Sequence, residues 1–262
     1  MALQNNKSLG QHWLKDRDIL AGIANDAELN QGDFVLEIGP GLGTLTSEIF
    51  RRASRVLAVE FDAELARKLP GQFPGKQLEV VNEDILQFDL SKLPVGYKVV
   101  ANVPYYITSK IIEKLMTAEN KPSTVVILVQ KEVAERVAAG PGEMSILAVS
   151  AQVYAKARLG IEAPKEYFTP PPKVDSQVVV LETRDEPLVK PADERLFFRV
   201  VKAGFSAKRK KLRSSISAGL ALNKQTTDEL LQAANVNPDD RAEDLSIDDW
   251  LRVMNHYKGM IG

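Results

Sequence analysis

The chain contains no cysteine among its 262 residues and only two histidines, His12 and His256. Without cysteine there can be no disulfide, no thiol nucleophile and no thiolate zinc site. The two histidines lie far apart in sequence, so the composition gives no reason to expect a metal centre. No run of about 18 uncharged apolar residues exists, and the first residues lack the apolar core of a secretory signal. We therefore expect a cytoplasmic, metal-free protein.

Aromatic residues are also scarce, at 6% of the chain, whereas the hydrophobic and charged fractions of 44% and 26% are ordinary for a globular protein. The net charge of −1 conceals an uneven distribution. Residues 1–185 hold 21 basic and 24 acidic residues, whereas residues 186–262 hold 13 and 11. Within the second part, Arg195 to Arg213 contains eight basic residues and no acidic one. A phosphate backbone would respond to that local charge rather than to the total.

Short apolar, β-branched runs alternate with helical patterns through the first 130 residues. Such runs are typical of parallel strands buried on both faces, with helices between them. We predict a Rossmann-like, doubly wound α/β domain, in which ligands bind at the carboxyl ends of the strands. The predicted strands are residues 34–39, 55–60, 77–82, 98–103 and 124–130, and the predicted helices are residues 16–29, 44–53, 62–69 and 109–118.

The pattern changes after "FTPPPKVDSQVVVLE", where three prolines force an extended segment before one more strand. Beyond about Asp185 the periodicity is helical. We predict a boundary there, with the α/β domain at residues 1–185 and a small all-helical domain at residues 186–262.

The stretch "LEIGPGLGTLT" follows the first predicted strand and opens a helix. Its glycines, among them Gly39 and Gly41, allow a tight turn and a close approach to a ligand. Glu60 ends the next strand, where an acid can bind the hydroxyls of an adenosine ribose. The alternative is a glycine turn with a purely structural role.

Two adenosine cofactors suit such a loop. NAD favours the spacing G-x-G-x-x-G, but here Gly43 comes one residue early. An acid within the first strand, Glu37, suits the cationic amino-acid end of S-adenosylmethionine better than a pyrophosphate. Asp84, in "NEDIL", could accept a hydrogen bond from the adenine amino group, or could simply cap a turn. A small NAD oxidoreductase stays the alternative.

Six segments together resemble the ribosomal RNA adenine N6,N6-dimethyltransferase family, over about residues 7–215. They are "GQHWL", "EIGPGLGTLT", "VEFD", "NEDIL", "NVPYYI" and "FTPPPKVDS". Within that family the chain looks most like the type that acts on small-subunit (16S) ribosomal RNA. The resemblance implies S-adenosylmethionine as methyl donor. It also implies that the substrate is two adjacent adenosines in a hairpin loop, within a partly assembled 30S subunit, and that the protein is monomeric.

The resemblance also implies roles for individual residues. Asn102, Pro104 and Tyr105 of "NVPYY" would hold the target adenine, and Phe168 would cover its other face. The alternative is that Asn102 caps a turn and Tyr105 packs under the sheet; Tyr106 we assign to packing. The residues expected to bind the cofactor are His12, Leu14, Glu37, Gly39, Gly41, Glu60, Asp84 and Asn102.

A basic helix is expected to contact the RNA backbone. In "AGFSAKRKKLRSSI" it would present Lys208, Arg209, Lys210, Lys211 and Arg213. A charge run of this kind can equally be an ordinary solvated face. Two other functions stay open: the related large-subunit dimethyltransferase that confers macrolide resistance, and a non-catalytic RNA-binding protein of ribosome assembly.

Overall fold

The structure, a computed structural model, describes residues 12–261. These residues form two compact units. One contains the described residues up to Glu135 together with Ala155–Arg184. The other contains Arg136–Tyr154 and the chain from Asp185 onward. The N-terminal tail that precedes His12 lies outside the described residues.

A mostly parallel seven-stranded sheet forms the centre of the first unit. Five of its strands are mutually parallel and correspond to the five predicted runs: β2 (Phe34–Ile38), β3 (Arg55–Glu60), β4 (Gln77–Asn82), β5 (Lys98–Asn102) and β6 (Thr124–Gln130). Two antiparallel strands complete the sheet: β7 (Ala155–Ala163) and β9 (Ser176–Thr183). The strand order is β4-β3-β2-β5-β6-β9-β7, which confirms the predicted α/β class.

Four helices of the first unit were predicted, each within a few residues of its observed bounds. They are α1 (Arg17–Asp26), α2 (Thr44–Ile49), α3 (Ala63–Lys68) and α4 (Thr108–Thr117). Asp16 begins α1 by accepting hydrogen bonds from the backbone N–H groups of Asp18 and Ile19. The central strands β5 and β6 are almost wholly buried, as expected for a sheet with helices on both faces.

A separate two-stranded ribbon joins two distant parts of the sequence. In it, β1 (Trp13–Leu14) pairs with β8 (Phe168–Thr169), so that Leu14 lies opposite Phe168. The Thr44 hydroxyl at the start of α2 donates a 3.1 Å hydrogen bond to the Leu14 carbonyl. The ribbon therefore holds Trp13–Leu14 and the start of the "FTPPP" segment next to the glycine-rich loop.

The second unit is helical. Its elements are α6 (Ile146–Gln152), α7 (Glu194–Phe205), α8 (Leu212–Leu220), α9 (Lys224–Ala233) and α10 (Ile247–Ile261), while α5 (Lys131–Ala138) spans the point where the chain leaves the first unit. Trp250 of α10 is fully buried, and its ring lies so close to Gly204 of α7 that a Cβ there would approach it to 2.2 Å. This close packing of α7 against α10 stabilises the unit.

The chain is not divided by a single boundary near residue 185. Residues Arg136–Tyr154 precede that point but cluster with the helical unit. One reason is local: the Gln152 side-chain amide donates to the carbonyls of Val137 and Ala139, which folds this segment on itself. Within residues 12–261, no helix is long and apolar enough to cross a membrane.

Candidate active site

A cavity of about 350 Å³ opens at the carboxyl ends of β2, β3 and β5. This is the point where the strand order reverses, because β3 lies on one side of β2 and β5 on the other. Ligands of open α/β sheets bind at such a point. The volume is within the range of sites that hold small organic ligands.

The glycine-rich loop forms one wall of the cavity. Gly39, Gly41 and Gly43 have φ of +68°, +54° and +78°, in the left-handed region that a side chain disfavours. A Cβ on Gly41 would lie 2.4 Å from the Trp13 ring, so the absence of a side chain also lets β1 close over the loop. The loop then leads directly into α2.

Two acidic residues predicted for the cofactor line this cavity. Glu60, at the end of β3, is 6% exposed, and its carboxylate accepts hydrogen bonds from the backbone N–H of Gly41 (3.0 Å) and Asp62 (2.9 Å). Burial raises the pKa of Glu60, and these backbone N–H groups offset part of that rise. Asp84 follows β4, and its carboxylate accepts a 2.9 Å hydrogen bond from Leu86 N–H, so it both faces the cavity and caps a turn.

Glu37 behaves differently from the other predicted cofactor residues. It is fully buried in β2 and does not line the cavity. Neither carboxylate oxygen has a hydrogen-bond partner among the described residues, and the nearby Thr46 hydroxyl is likewise unpaired. Burial raises the pKa of Glu37 to about 8; the Thr46 hydroxyl lowers it in part, and Glu60 raises it further. Any effect of Glu37 on a ligand in the cavity is therefore indirect.

The "NVPY" segment continues from the end of β5 into the cavity wall. Asn102, Pro104 and Tyr105 all line the cavity. No described residue hydrogen-bonds to the Asn102 side chain, so its amide oxygen is available to a ligand. Pro104 has a φ of −56° and immediately precedes a one-turn helix at Tyr105–Ile107. Its carbonyl oxygen accepts a long, 3.3 Å hydrogen bond from Ile107 N–H.

Tyr105 is half-buried and held at its hydroxyl. Its oxygen lies 2.6 Å from the Ser176 hydroxyl at the start of β9, a hydrogen bond that either group can donate. Burial raises the pKa of Tyr105, so the phenol stays neutral. The bond to Ser176 fixes the ring plane against the cavity.

Phe168 of β8 and His12, which immediately precedes β1, both line the cavity. Phe168 is 3% exposed and lines the cavity, which places its ring in the same cavity as Tyr105. The His12 ring stacks on Tyr105 at a centroid distance of 6.1 Å and an angle of 18°, and its Nδ1 lies 2.7 Å from the Pro170 carbonyl. Leu14 also lines the cavity from β1.

Several lining residues were not predicted from the sequence. Tyr106, expected to serve only in packing, is 70% exposed and lies in the cavity lining, so that expectation is wrong. Lys110 of α4 and the exposed Phe61 also line the cavity. The doublet "YY" indicates two adjacent aromatic side chains, but the neighbouring sequence does not show which of the two rings would be exposed.

The basic segment of the second unit is a turn rather than a helix. Lys208, Arg209 and Lys210 lie between α7 and α8 and are exposed. Lys211, just before α8, pairs with Asp239 at 3.2 Å, and Arg213 lies 3.4 Å from both Asp228 and Asp239. Part of the predicted RNA-binding charge is therefore balanced within the protein. Across the described residues, no group of three or more His, Cys, Asp or Glu side chains is arranged to hold a metal ion.

The sequence matches a known family over nearly its whole length. Residues 2–258 match the family described as "Ribosomal RNA adenine dimethylase". The chain belongs to this family. A relative named ribosomal RNA small subunit methyltransferase A, from Dehalococcoides mccartyi, is 38% identical over 98% of this chain and 90% of its own length.

Two solved structures share the fold of this dimethylase. A dimethyladenosine transferase from Plasmodium falciparum superposes with a TM-score of 0.81, at 26% identity over 95% of this chain and 98% of its own. The 23S rRNA methyltransferase ErmE superposes with a TM-score of 0.78, at 29% identity over 94% and 99%. Both therefore share the sheet and the helical part with this chain.

As a member of this family the protein is an S-adenosylmethionine-dependent methyltransferase. The cavity residues fit that cofactor. Glu60 and Asp84 present carboxylates to the cavity, and a third acid, Glu83, lines the cavity as well. A lining rich in carboxylates suits a ligand that carries a sulfonium and an ammonium charge, and would repel a pyrophosphate.

Proposed function

We propose that this enzyme methylates the N6-amino groups of two adjacent adenosines in a hairpin loop of small-subunit ribosomal RNA. The observation that carries the proposal is the wall formed by Asn102, Pro104 and Tyr105 beside a carboxylate-lined cofactor cavity. The name of the relative from Dehalococcoides mccartyi supports the small subunit as the source of the RNA. The two products are dimethyladenosines, formed during ribosome biogenesis.

The chemical difficulty is the weak nucleophilicity of an exocyclic adenine amine, whose lone pair is delocalised into the ring. Bound S-adenosylmethionine would supply the methyl group from its cationic sulfonium, the carbon–sulfur bond breaking as neutral S-adenosylhomocysteine is released. In the first transfer the Asn102 amide oxygen and the Pro104 carbonyl accept hydrogen bonds from the two N–H groups of the amine, which draws the nitrogen towards a tetrahedral, nucleophilic shape. In the second transfer one of them accepts from the single N–H group that remains. Because Pro104 fixes its own φ, its carbonyl is oriented before the base arrives. The proton leaves to water after methyl transfer.

The aromatic residues hold the base. An adenine can reach this cavity only after it leaves its stack in the RNA. Tyr105, fixed by Ser176, and Phe168, buried in the ribbon, provide rings for the two faces of the base. Stacking on an aromatic side chain contributes about 1–3 kcal/mol per base, which offsets much of the cost of unstacking.

The setting of the reaction belongs to the same proposal. The substrate is the RNA within a partly assembled 30S subunit in the cytoplasm, and the enzyme acts as a monomer. The exposed Lys208, Arg209 and Lys210 contact phosphates and position the RNA, while the cavity selects the base. His12, Leu14, Gly39, Gly41, Glu60 and Asp84 hold the cofactor, with Asn102 shared between cofactor and base.

The deciding experiment uses purified protein, labelled S-adenosylmethionine and 30S subunits that lack adenine dimethylation. We expect N6,N6-dimethyladenosine on nucleoside analysis. With Asn102→Ala, loss of one oriented acceptor should lower kcat by about 100-fold or more, while the variant still binds 30S subunits. Wild-type activity that survives unchanged in Asn102→Ala would contradict the role given to the motif.

Two other outcomes point to the alternative functions. Because the structure is similar to that of ErmE, a 23S rRNA methyltransferase, 50S subunits are tested in parallel as the alternative substrate. Methyl transfer to large-subunit RNA alone would identify a resistance-type enzyme. Tight 30S binding without any transfer would identify an assembly factor that has lost catalysis.

A further inference from the structure

An aromatic side chain at the cavity has no hydrogen-bond or ring-stacking partner among the residues that the structure describes. Tyr106 follows Tyr105 directly, yet its side chain is 70% exposed where Tyr105 is half-buried and bonded to Ser176. Tyr106 is also part of the cavity lining. Most of the apolar surface of this ring is in contact with water. At a ligand cavity, such exposure favours a role of the ring in binding a ligand.

A lysine stands on the same side of the same helical segment. The turn at Tyr105–Ile107 continues into α4, and residues four apart in such a segment are neighbours on its surface. Lys110 is exposed and, like Tyr106, is part of the cavity lining. No carboxylate among the described residues lies within 4 Å of its ammonium group. The opposite side of α4, with Ile111 and Ile112, is buried.

We propose that Tyr106 and Lys110 form a subsite for the nucleotide adjacent to the target adenosine. Tyr106 stacks on the neighbouring base, and Lys110 contacts the adjoining phosphate. The inference rests on the proposed function, and it goes further by naming the residues that recognise a second nucleotide at the same cavity.

The charge at Lys110 is opposite to that of the acidic side chains that line the cavity. Inside, the lining carries the carboxylates of Glu60, Glu83 and Asp84, which repel phosphate. Lys110 brings a cation to this lining. An aromatic ring next to a cation is the combination by which proteins hold single-stranded nucleic acid, since every base offers a face and every nucleotide a phosphate. When the target base is flipped into the cavity, the neighbouring base loses a stacking partner, and the Tyr106 ring takes the place of that partner.

A consequence is a preference for a purine next to the target. Purines present more stacking surface than pyrimidines, and in a pair of adjacent adenosines each base is the neighbour of the other. The subsite thus selects substrates with two adjacent purines. It also keeps the RNA engaged when the second adenosine takes the place of the first.

The test uses 30S subunits reconstituted with transcribed RNA in which the neighbour of one target adenosine is adenosine, guanosine or uridine. For the wild type we expect kcat/KM to be similar with the two purines and several-fold lower with uridine. Tyr106→Ala should lower kcat/KM on the purine substrates by about tenfold and remove the difference from uridine. Tyr106→Phe retains the ring and should behave as the wild type.

Lysine variants separate the phosphate contact from the base contact. Lys110→Gln should raise KM about equally for all three neighbours, and Lys110→Arg should restore it. Lys92→Gln is the matched control, because Lys92 is an exposed lysine of the same unit outside the cavity lining. It should leave KM unchanged.

The outcomes distinguish this inference from the proposed function. Absence of methyl transfer by the wild type to every subunit would overturn both. Normal transfer, with a purine preference that persists in Tyr106→Ala, would overturn the subsite alone. Loss of S-adenosylmethionine affinity in Tyr106→Ala, with the purine preference intact, would assign the ring to the cofactor and would also overturn it.

Discussion

At the scale of single residues, Glu37 makes folding depend on pH. Its carboxyl is buried and unpaired, and burial raises its pKa to about 8 from 4.5. The folded protein therefore keeps a proton that the unfolded chain releases once the pH exceeds 4.5. Between these two pKa values stability falls as pH rises, by up to about 1.4 kcal/mol per pH unit. Above pH 8 the cost no longer grows.

Replacing this carboxyl should remove that pH dependence. Because Glu37→Gln cannot ionise, its melting temperature relative to wild type should rise steadily from pH 5 to pH 8. Thermal denaturation at several pH values measures this difference. Glu119→Gln, at an exposed glutamate, serves as control and should show no such trend. A constant difference across the range would mean that Glu37 is already ionised in the folded protein.

The Tyr105 hydroxyl and ring contribute separately. Tyr105→Phe keeps the ring but leaves the buried Ser176 hydroxyl without its 2.6 Å partner, so we expect a loss of about 1–3 kcal/mol in unfolding free energy with most activity retained. Tyr105→Ala removes the ring, and kcat/KM should fall by at least tenfold. Denaturant unfolding and methyl transfer, measured on both variants, separate the two effects. Equal activity losses would show that the hydroxyl matters more than the ring.

Local motifs predicted much of the site, because the chemistry sits at strand ends. Asn102 and Glu60 each end a strand, and an apolar run followed by a polar residue marks such an end in sequence. The environment of Glu37 could not be predicted in this way. That environment depends on how α2 packs over β2. The apolar neighbours of Glu37 in the strand show nothing about which side chains of α2 approach it.

At the scale of elements, the parallel strands were predictable and the antiparallel edge was not. Strands such as β6 are continuous apolar runs, since both of their faces are covered. The edge strand β7, "AKARLGIEA", has only its two end residues buried, and its charges and glycine resemble a loop. Its place in the sheet depends on pairing with β9, an interaction that local sequence does not encode.

The glycine-rich loop allows a matched test of backbone strain against steric fit. Gly41→Ala and Gly75→Ala both place a Cβ at positive φ, which should cost each about 1–2 kcal/mol of stability. Only at Gly41 would the Cβ also meet a ring, 2.4 Å from Trp13, whereas nothing lies within 4 Å at Gly75. We therefore expect S-adenosylmethionine affinity, measured by calorimetry, to be lost in Gly41→Ala and kept in Gly75→Ala. Retained affinity in both would show that the loop tolerates displacement of Trp13.

At the scale of the whole molecule, charge is divided between the two units. The charged side chains that line the cofactor cavity of the first unit are mainly acidic, and the exposed basic turn with Lys208 and Lys210 belongs to the second. The net charge of −1 shows neither feature. Under the proposed function, different parts of the chain would select the base and attract the RNA backbone, so the two steps should respond differently to salt.

Removing charge from the basic turn should weaken RNA binding without changing the chemistry. Every lysine–phosphate pair that is removed reduces the dependence of log K on log salt by about 0.7–0.9, so Lys208→Gln with Lys210→Gln should lower that slope by about 1.5. Binding to 30S subunits at several salt concentrations gives the slope. The matched control, Lys190→Gln with Lys224→Gln, removes two exposed lysines elsewhere in the same unit and should leave it unchanged. Affinity for S-adenosylmethionine should be that of the wild type in both. Equal slopes in the two double variants would mean that the turn is an ordinary solvated surface and that other residues bind the RNA backbone.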